Sequence, residues 1–481
     1  MAQIRVYHSH IEVFPYREGD QPVIEKRMSK YDKITHKYIP VCYYIENNIL
    51  YLPRGANLLF LEKTFNTTPI MVTNYDNYSK IHNVEMLYEP RDNIQIDAIN
   101  FLTSQKGFKK GLSYSQFGLN LDTGDGKTFC TIYAMMYYKM KSIIITHKQK
   151  IKEQWIDSIL KMSNVDSSRI CDIEGSETID AILQGKIEAD FYFVNHQTIN
   201  SYARIHGWQE IRKFFIKIRV GIKVIDEAHK FFENSLMIDF FSNVTKSFYL
   251  TATFTRSDPV EVRLYKKAYS SLYRFGEETM NYEEKRKHIV FIVIYYQSNI
   301  SINDQINIRN AHGFSSYKFI DYALNEENET ILKVLRRILE QTEQLEGKTL
   351  VISPKIDSVN YIAQKMSQYT TKIISTVHSK NSEEVNKQAY DADIISSTVK
   401  SIGEGDDIKG LRVLINLEPI GSKGLADQLR GRLREYSKDD DTFMFYPVDT
   451  SIPDCYNMLK RILPVMKKKC KEIIIMKYDN L

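Results

Sequence analysis

LDTGDGKTFCTIYAMMYYKM (121–140) decides how this chain must be read. A short polar turn opens directly into a run with apolar residues at helical spacing. Gly124 and Gly126 let the backbone curl its N–H groups around phosphate oxygens, with Thr123 and Asp125 completing the loop. Lys127 has the reach for β- and γ-phosphates, and the Thr128 hydroxyl suits Mg²⁺. The helix behind adds the positive end of its dipole. The strict phosphate-loop pattern begins with Gly or Ala, where this chain has Leu121.

VIDEAHK (224–230) supplies the other half of the chemistry. An apolar strand ends on two adjacent acids. Asp226 is suited to hold the magnesium together with Thr128, and Glu227 to orient or deprotonate a water. Phosphoryl transfer demands positioning and charge more than covalent chemistry, so this pairing with a GKT loop is informative. Three further segments follow: LTATFTR (250–256), SSTVKSIGEGDD (396–407) and QLRGRLRE (428–435). The order of the five describes an ATP-driven motor that works on nucleic acid.

Bulk properties agree without deciding anything. At 481 residues the chain needs more than one core. It is 43% apolar and 26% charged, ordinary values for a globular protein. The longest apolar run, Ile289–Tyr296, has the length of a buried strand and not of a membrane span, and no secretory leader opens the chain. Five scattered cysteines without CxxC spacing imply reduced thiols, so a cytoplasmic protein is expected, in a host cytoplasm if phage-encoded. A net charge of +5 permits a polyanionic partner but does not demand one.

Residues 1–85 carry none of the five segments. Strand-like RVYHSHIEVFPY and VCYYIENNILYLPRG flank a basic stretch holding Lys26, Arg27, Lys30, Lys33 and Lys37. This is expected to be a small β-rich accessory domain that contacts DNA and can be deleted without loss of basal ATPase. Alternating short apolar runs and helical stretches over 86–257, and again over 286–450, imply two α/β units with parallel sheets. The motif loops then belong at the carboxyl ends of the strands. Residues 258–285 connect the units, and 451–481 reads as a basic C-terminal tail.

With these segments in place, the chain resembles superfamily 2 helicases of the DEAH/DExH branch over 86–450. The resemblance implies two tandem RecA-like lobes that sandwich ATP, with Mg²⁺ as cofactor. It assigns adenine recognition to Gln95, and coupling of hydrolysis to motion to His229, Thr251 and Thr253. Nucleic-acid contacts fall on His147 and Lys148 in THKQKIKEQW, on Asn195 and His196 in NHQT, on His378 and Ser379 in VHSK, and on Thr398. Gly405 and Asp407 would face the nucleotide. Gln428, Arg432 and Arg434 would complete the catalytic set; the family's second arginine usually lies where this chain has Glu435. Within the family the chain looks most like XPB-type repair translocases and phage recombination helicases. That implies 3′→5′ action on branched or forked DNA, in recombination, repair or replication; a monomer without a membrane partner is expected. A duplex translocase, an RNA helicase, and a P-loop kinase or ATP-gated binding module stand as alternatives.

Overall fold

Strands that are apolar on both faces must be covered on both faces, which selects a parallel sheet between helices. Ser142–Thr146 and Ile222–Ile225 are buried at every residue. They sit in a seven-stranded sheet ordered Ile170–Ile173, Phe191–Asn195, Ser142–Thr146, Ile222–Ile225, Lys246–Thr251, Gln116–Asn120, Tyr273–Phe275. Every neighbouring pair is parallel. The computed structural model describes residues 2–32, 34–72, 78–104, 115–121, 124–228, 230–251, 259–275, 287–311, 313–325, 330–402, 408–437 and 439–481, the side chains of 259, 261 and 480 aside. Thr123, His229, Thr253, Gly405 and Asp407 lie outside the described residues.

The chain divides into two compact units, Met1–Asn281 and Tyr282–Leu481. The second holds its own seven-stranded parallel sheet, ordered Ile374–Val377, Ile394–Ser397, Lys348–Ile352, Leu411–Asn416, Thr442–Asp449, Ile289–Tyr296, Glu472–Lys477. Counted along the chain within each sheet, both orders read 3-4-2-5-6-1-7. The two lobes therefore share one topology. Among the described residues no helix is long and apolar enough to cross a membrane. All five cysteines are buried and unbridged.

Three sequence-based boundaries need correction. The stretch 451–481 is no tail. It forms the helix Pro453–Lys469 and the strand Glu472–Lys477, which pairs in parallel with Ile289–Tyr296 at the edge of the second sheet. Several of its cations have partners within the unit: Lys469 Nζ donates to Asp427 Oδ2 (2.7 Å), and Lys471 pairs with Asp441. Lysines flanking an isoleucine run blunt an exposed sheet edge, which the charge pattern alone disguised as a solvated end. The connecting stretch is likewise structural, since Pro259–Ala268 and Tyr273–Phe275 belong to the first unit.

The accessory domain is not a detachable module either. Its five-stranded sheet runs Tyr44–Glu46, Ile49–Pro53, His10–Phe14, Gln3–Val6, Ile70–Met71. Ile4, Val13 and Leu52 share one continuous apolar core with Ile143, Val194 and Ile225 of the first lobe. Polar seams reinforce the contact: Arg212 Nη1 donates to Glu12 Oε1 (3.0 Å) and Gln209 Nε2 to Glu46 Oε2 (2.6 Å). Removal of 1–85 would bare that core, and large exposed apolar patches drive aggregation. We expect a chain of 86–481 to be recovered insoluble or molten. A monodisperse 86–481 with wild-type basal ATPase would show that the cores are separable after all.

Candidate nucleotide site and nucleic-acid contacts

All strands of the first sheet are parallel, so their carboxyl ends share one edge. The loops after Gln116–Asn120, Ser142–Thr146, Phe191–Asn195, Ile222–Ile225 and Lys246–Thr251 carry the motif residues, and they collect there.

The phosphate loop runs from Leu121 into the helix Lys127–Tyr138. Gly124 and Gly126 have φ of +92° and +88°, a region that residues with a Cβ avoid. Leu121 is buried in the core beneath, which accounts for a large apolar residue at that position. Its carbonyl accepts from Lys127 Nζ at 2.7 Å, so the loop itself aims the ammonium.

Gln95 lies buried against this loop. It sits on the helix Asn93–Thr103, capped by the Asp92 side chain. Its Oε1 accepts from Arg91 N (3.0 Å), and its Nε2 donates to Asp125 O at 3.5 Å. Arg91 also donates through Nη2 to Gly124 O (2.8 Å). A Cβ added at Gly126 would lie 2.3 Å from Gln95 Nε2. Gly126→Ala therefore combines a strained φ with displacement of a buried, bonded amide. We expect it to weaken nucleotide affinity about tenfold or more, since such backbone strain costs about 1–3 kcal/mol. Isothermal titration with a non-hydrolysable ATP analogue reads this directly. An unaltered affinity in Gly126→Ala would refute the packing argument.

The acidic turn is held on three sides. Asp226 N donates to Ile145 O (3.0 Å) and Ala228 N to Leu250 O (3.0 Å), so strands on both flanks grip it. Trp155 Nε1 donates to Asp226 Oδ2 (2.9 Å), and Asp226 Oδ1 accepts from Glu227 N (3.0 Å). Glu227 takes φ +49°, a left-handed conformation unusual for a residue with a side chain. Burial raises the Asp226 carboxyl above its ordinary range, and the Glu227 charge adds to that. The Trp155 N–H, the Lys127 ammonium and His147 pull the other way. The Lys127 influence places the lysine-bearing loop beside the acidic turn. A cation held by Thr128 and Asp226 would relieve the same penalty, which is what a magnesium-binding acid requires.

Sequence reading missed two supports. Trp155 is buried and used as a donor to Asp226. Lys223 is fully buried beneath the acidic turn, where its Nζ donates to Asp239 Oδ1 (2.5 Å) and Ser242 Oγ (2.6 Å). Tyr249 OH donates to Asp239 Oδ2 (2.9 Å), and Gln116 Nε2 to Tyr249 OH (3.2 Å). The network laces together the three strands that carry the phosphate loop, the acidic turn and the Thr251 segment. The signal for it was the Lys inside IKVID, a charge where an all-apolar strand would do.

The expected nucleic-acid residues divide. His147 and His196 line one cavity of about 360 Å³, their rings 5.7 and 5.6 Å from that of Phe231. Burial depresses both imidazoles to about 4, so they are neutral stacking surfaces at neutral pH and not phosphate-binding cations. Lys148 is exposed at the start of the helix Gln149–Met162. Asn195 is committed locally: Oδ1 accepts from Thr146 Oγ1 (2.7 Å), and Nδ2 donates to Gln149 Oε1 (3.2 Å). Thr251 is fully buried, paired in register with Asn120.

In the second unit Ser379 is exposed, whereas His378 is buried with Nε2 against Asn360 Oδ1 (3.2 Å). Thr398 is buried and its hydroxyl serves its own turn, donating to Ser401 Oγ (2.8 Å). Contact by His378 or Thr398 through these side-chain atoms would require them to give up those bonds. Gln428 stands half-buried on the helix Lys423–Arg430, Arg432 half-buried just past it, and Arg434 exposed. The neighbouring Arg430 is structural: its Nε donates to Asp427 Oδ1 (2.8 Å), the carboxylate that also takes Lys469.

Comparison with known proteins bears on this geometry. Residues 87–256 match the family described as Type III restriction enzyme, res subunit. S. cerevisiae Dbp5 bound to RNA and ADP BeF3 superposes with a TM-score of 0.52 at 14% identity, covering 80% of this chain and 90% of that one. The likeness is one of fold: two RecA-like parallel-sheet lobes with a small mixed sheet at the N-terminus. The putative ATP-dependent RNA helicase L396 of Acanthamoeba polyphaga mimivirus is 21% identical over 307 residues, 62% of this chain. The chain spans 53% of that relative's length. T4 UvsW aligns over 99% of this chain and 100% of its own, at 14% identity and a TM-score of 0.37, too loose a superposition to argue from.

Proposed function

We propose that this protein is an ATP-dependent, Mg²⁺-requiring nucleic-acid motor, a DNA helicase or translocase acting on branched or forked substrates in recombination, repair or replication. The observation that carries the ATPase reading is the convergence at one sheet edge of the glycine loop with Lys127 and the Asp226–Glu227 turn, near enough for Lys127 to offset the Asp226 charge. The bound nucleotide supplies the phosphoryl group, and Thr128 with Asp226 would hold its metal. Lys127 stabilises charge on the phosphates, Glu227 orients the attacking water, and Trp155 fixes the carboxylate beside it. The resemblance assigns the positive charge needed during hydrolysis to Arg432 and Arg434, a polar catalytic role to Gln428, and nucleotide contact to Gly405 and Asp407. The DNA preference and 3′→5′ action rest on the sequence resemblance, and we propose a monomer working in a phage-infected cell.

An ATPase panel tests all of this. Single-stranded DNA, duplex, forked DNA and RNA are added in turn to the full chain. Forked DNA should stimulate hydrolysis most, and Arg432→Ala should remove at least nine-tenths of that stimulation. Preferential stimulation by RNA would convert the reading to an RNA helicase, and stimulation by plain duplex without unwinding to a translocase. Indifference to every nucleic acid would leave only a P-loop kinase or ATP-gated binding module.

A further inference from the structure

Outside the nucleotide site, a cation-lined concave surface lies where the accessory domain meets the helix Pro259–Ala268. Two adjoining cavities, of about 710 and 560 Å³, share Arg27, Arg263 and Lys267 in their walls. The larger has an apolar floor, including Ile24, Phe60 and Val262, under a rim to which Lys266 also belongs. The smaller adds Lys26, Tyr31 and Tyr38. Among the described residues, no carboxylate lines either cavity.

The groove is a built feature. Gly55 N donates to Ala268 O (3.2 Å), Ser270 Oγ to Gly55 O (2.6 Å) and Lys267 Nζ to Arg27 O (3.0 Å), which fixes both walls. A Cβ at Gly55 would stand 2.4 Å from Ala268 O, so the backbones could not meet this closely with another residue there. Burial, then the charges of Arg263 and Arg27, lower the Lys267 pKa, as expected of cations crowded together. Aromatic faces alternate with these cations. Arg27 lies over the Phe60 ring (4.5 Å), Lys26 over Tyr38 (5.2 Å), and Tyr31 sits 5.2 Å from Tyr38. Tyr31 and Tyr38 are 45% and 46% exposed, large rings held out in solvent on the hairpin Ser29–Asp32/Lys37–Pro40.

We propose that this groove is a second nucleic-acid site, which takes one unpaired strand. Its phosphates lie along Arg27, Arg263, Lys266 and Lys267, and its bases rest on the apolar floor and on Tyr31 and Tyr38. Interleaved cations and exposed rings over a recessed apolar floor fit splayed bases. A duplex keeps its bases stacked inside, and an acidic helix has no use for exposed tyrosine faces. The inference rests on the motor reading and adds to it a place where a separated strand is held by the first unit alone.

The test compares the full-length wild type with two double variants, R263E/K266E and Y31A/Y38A, by fluorescence anisotropy with labelled oligo-dT and oligo-rU at several salt concentrations. Every altered side chain is exposed and outside the nucleotide site, so unchanged basal ATPase and melting temperature serve as the folding control. The charge reversal should weaken binding at least tenfold and flatten the salt slope by about 1.4, the value for two lost phosphate contacts on a single strand. The tyrosine pair should weaken it about tenfold without moving the slope. The two oligonucleotides distinguish a DNA from an RNA occupant. Wild-type affinity in either double variant overturns the proposal, as does capture of a Glu-rich helical peptide that oligonucleotides fail to displace. A wild type that binds neither oligonucleotide removes the motor reading itself, a different failure from variants that bind as well as wild type.

Discussion

Lys127→Ala is expected to bring ATP hydrolysis below about one-thousandth of wild type, the upper range for losing one preorganised charge donor. The lysine stands at the first turn of its helix, and Nζ is already directed by Leu121 O at 2.7 Å. A side chain held in this way pays little ordering entropy when it moves to a phosphate. Its loss also removes one of the charges that offset Asp226, so the acidic turn is altered electrostatically as well. The side chain is only half-buried and fills no cavity, so the variant should fold. A phosphate-release assay with nucleic acid at saturation decides the matter. Wild-type rates would mean that the glycine loop is an ordinary turn before a helix.

Glu227→Gln should separate binding from chemistry. The amide has the shape of the carboxylate and tolerates the same left-handed backbone, but it cannot accept a proton from water. Turnover should fall about 10²–10⁴-fold, the usual share of a general base. ATP affinity should be retained, because Asp226 and Lys127 are untouched. The variant would then accumulate as an ATP-bound complex on nucleic acid, visible as slow dissociation in the presence of ATP. Rapid turnover would place the base elsewhere and leave Glu227 a structural turn residue.

Sequence reading located the elements that follow local rules. Strand–loop–helix alternation announced both parallel sheets, and GKT and DEAH marked the carboxyl ends of their strands. What escaped was tertiary. No local pattern says that Trp155 donates to Asp226, or that Lys223, Asp239 and Tyr249 bond beneath the sheet. The edge strand Glu472–Lys477 was hidden because lysines flank its isoleucines, so composition outweighed the apolar run. The joint core of accessory domain and first lobe was equally out of reach, since apolar alternation shows that a face is buried but not against what. His378 and Thr398 show the converse limit. A motif position can be found by its spacing while the hydrogen bonds that hold its side chain remain unread.

The acidic turn hangs between two rails. One amide of it is pinned to Ile145 and another to Leu250, and Leu250 is followed immediately by Thr251 and the segment that the family resemblance links to motion. A tug on that segment would reach Glu227 through a single peptide group and one hydrogen bond, with no chain of intermediaries to dissipate it. The left-handed backbone at Glu227 is the weak joint in that short linkage, the place where a small pull would first tip the carboxylate out of line.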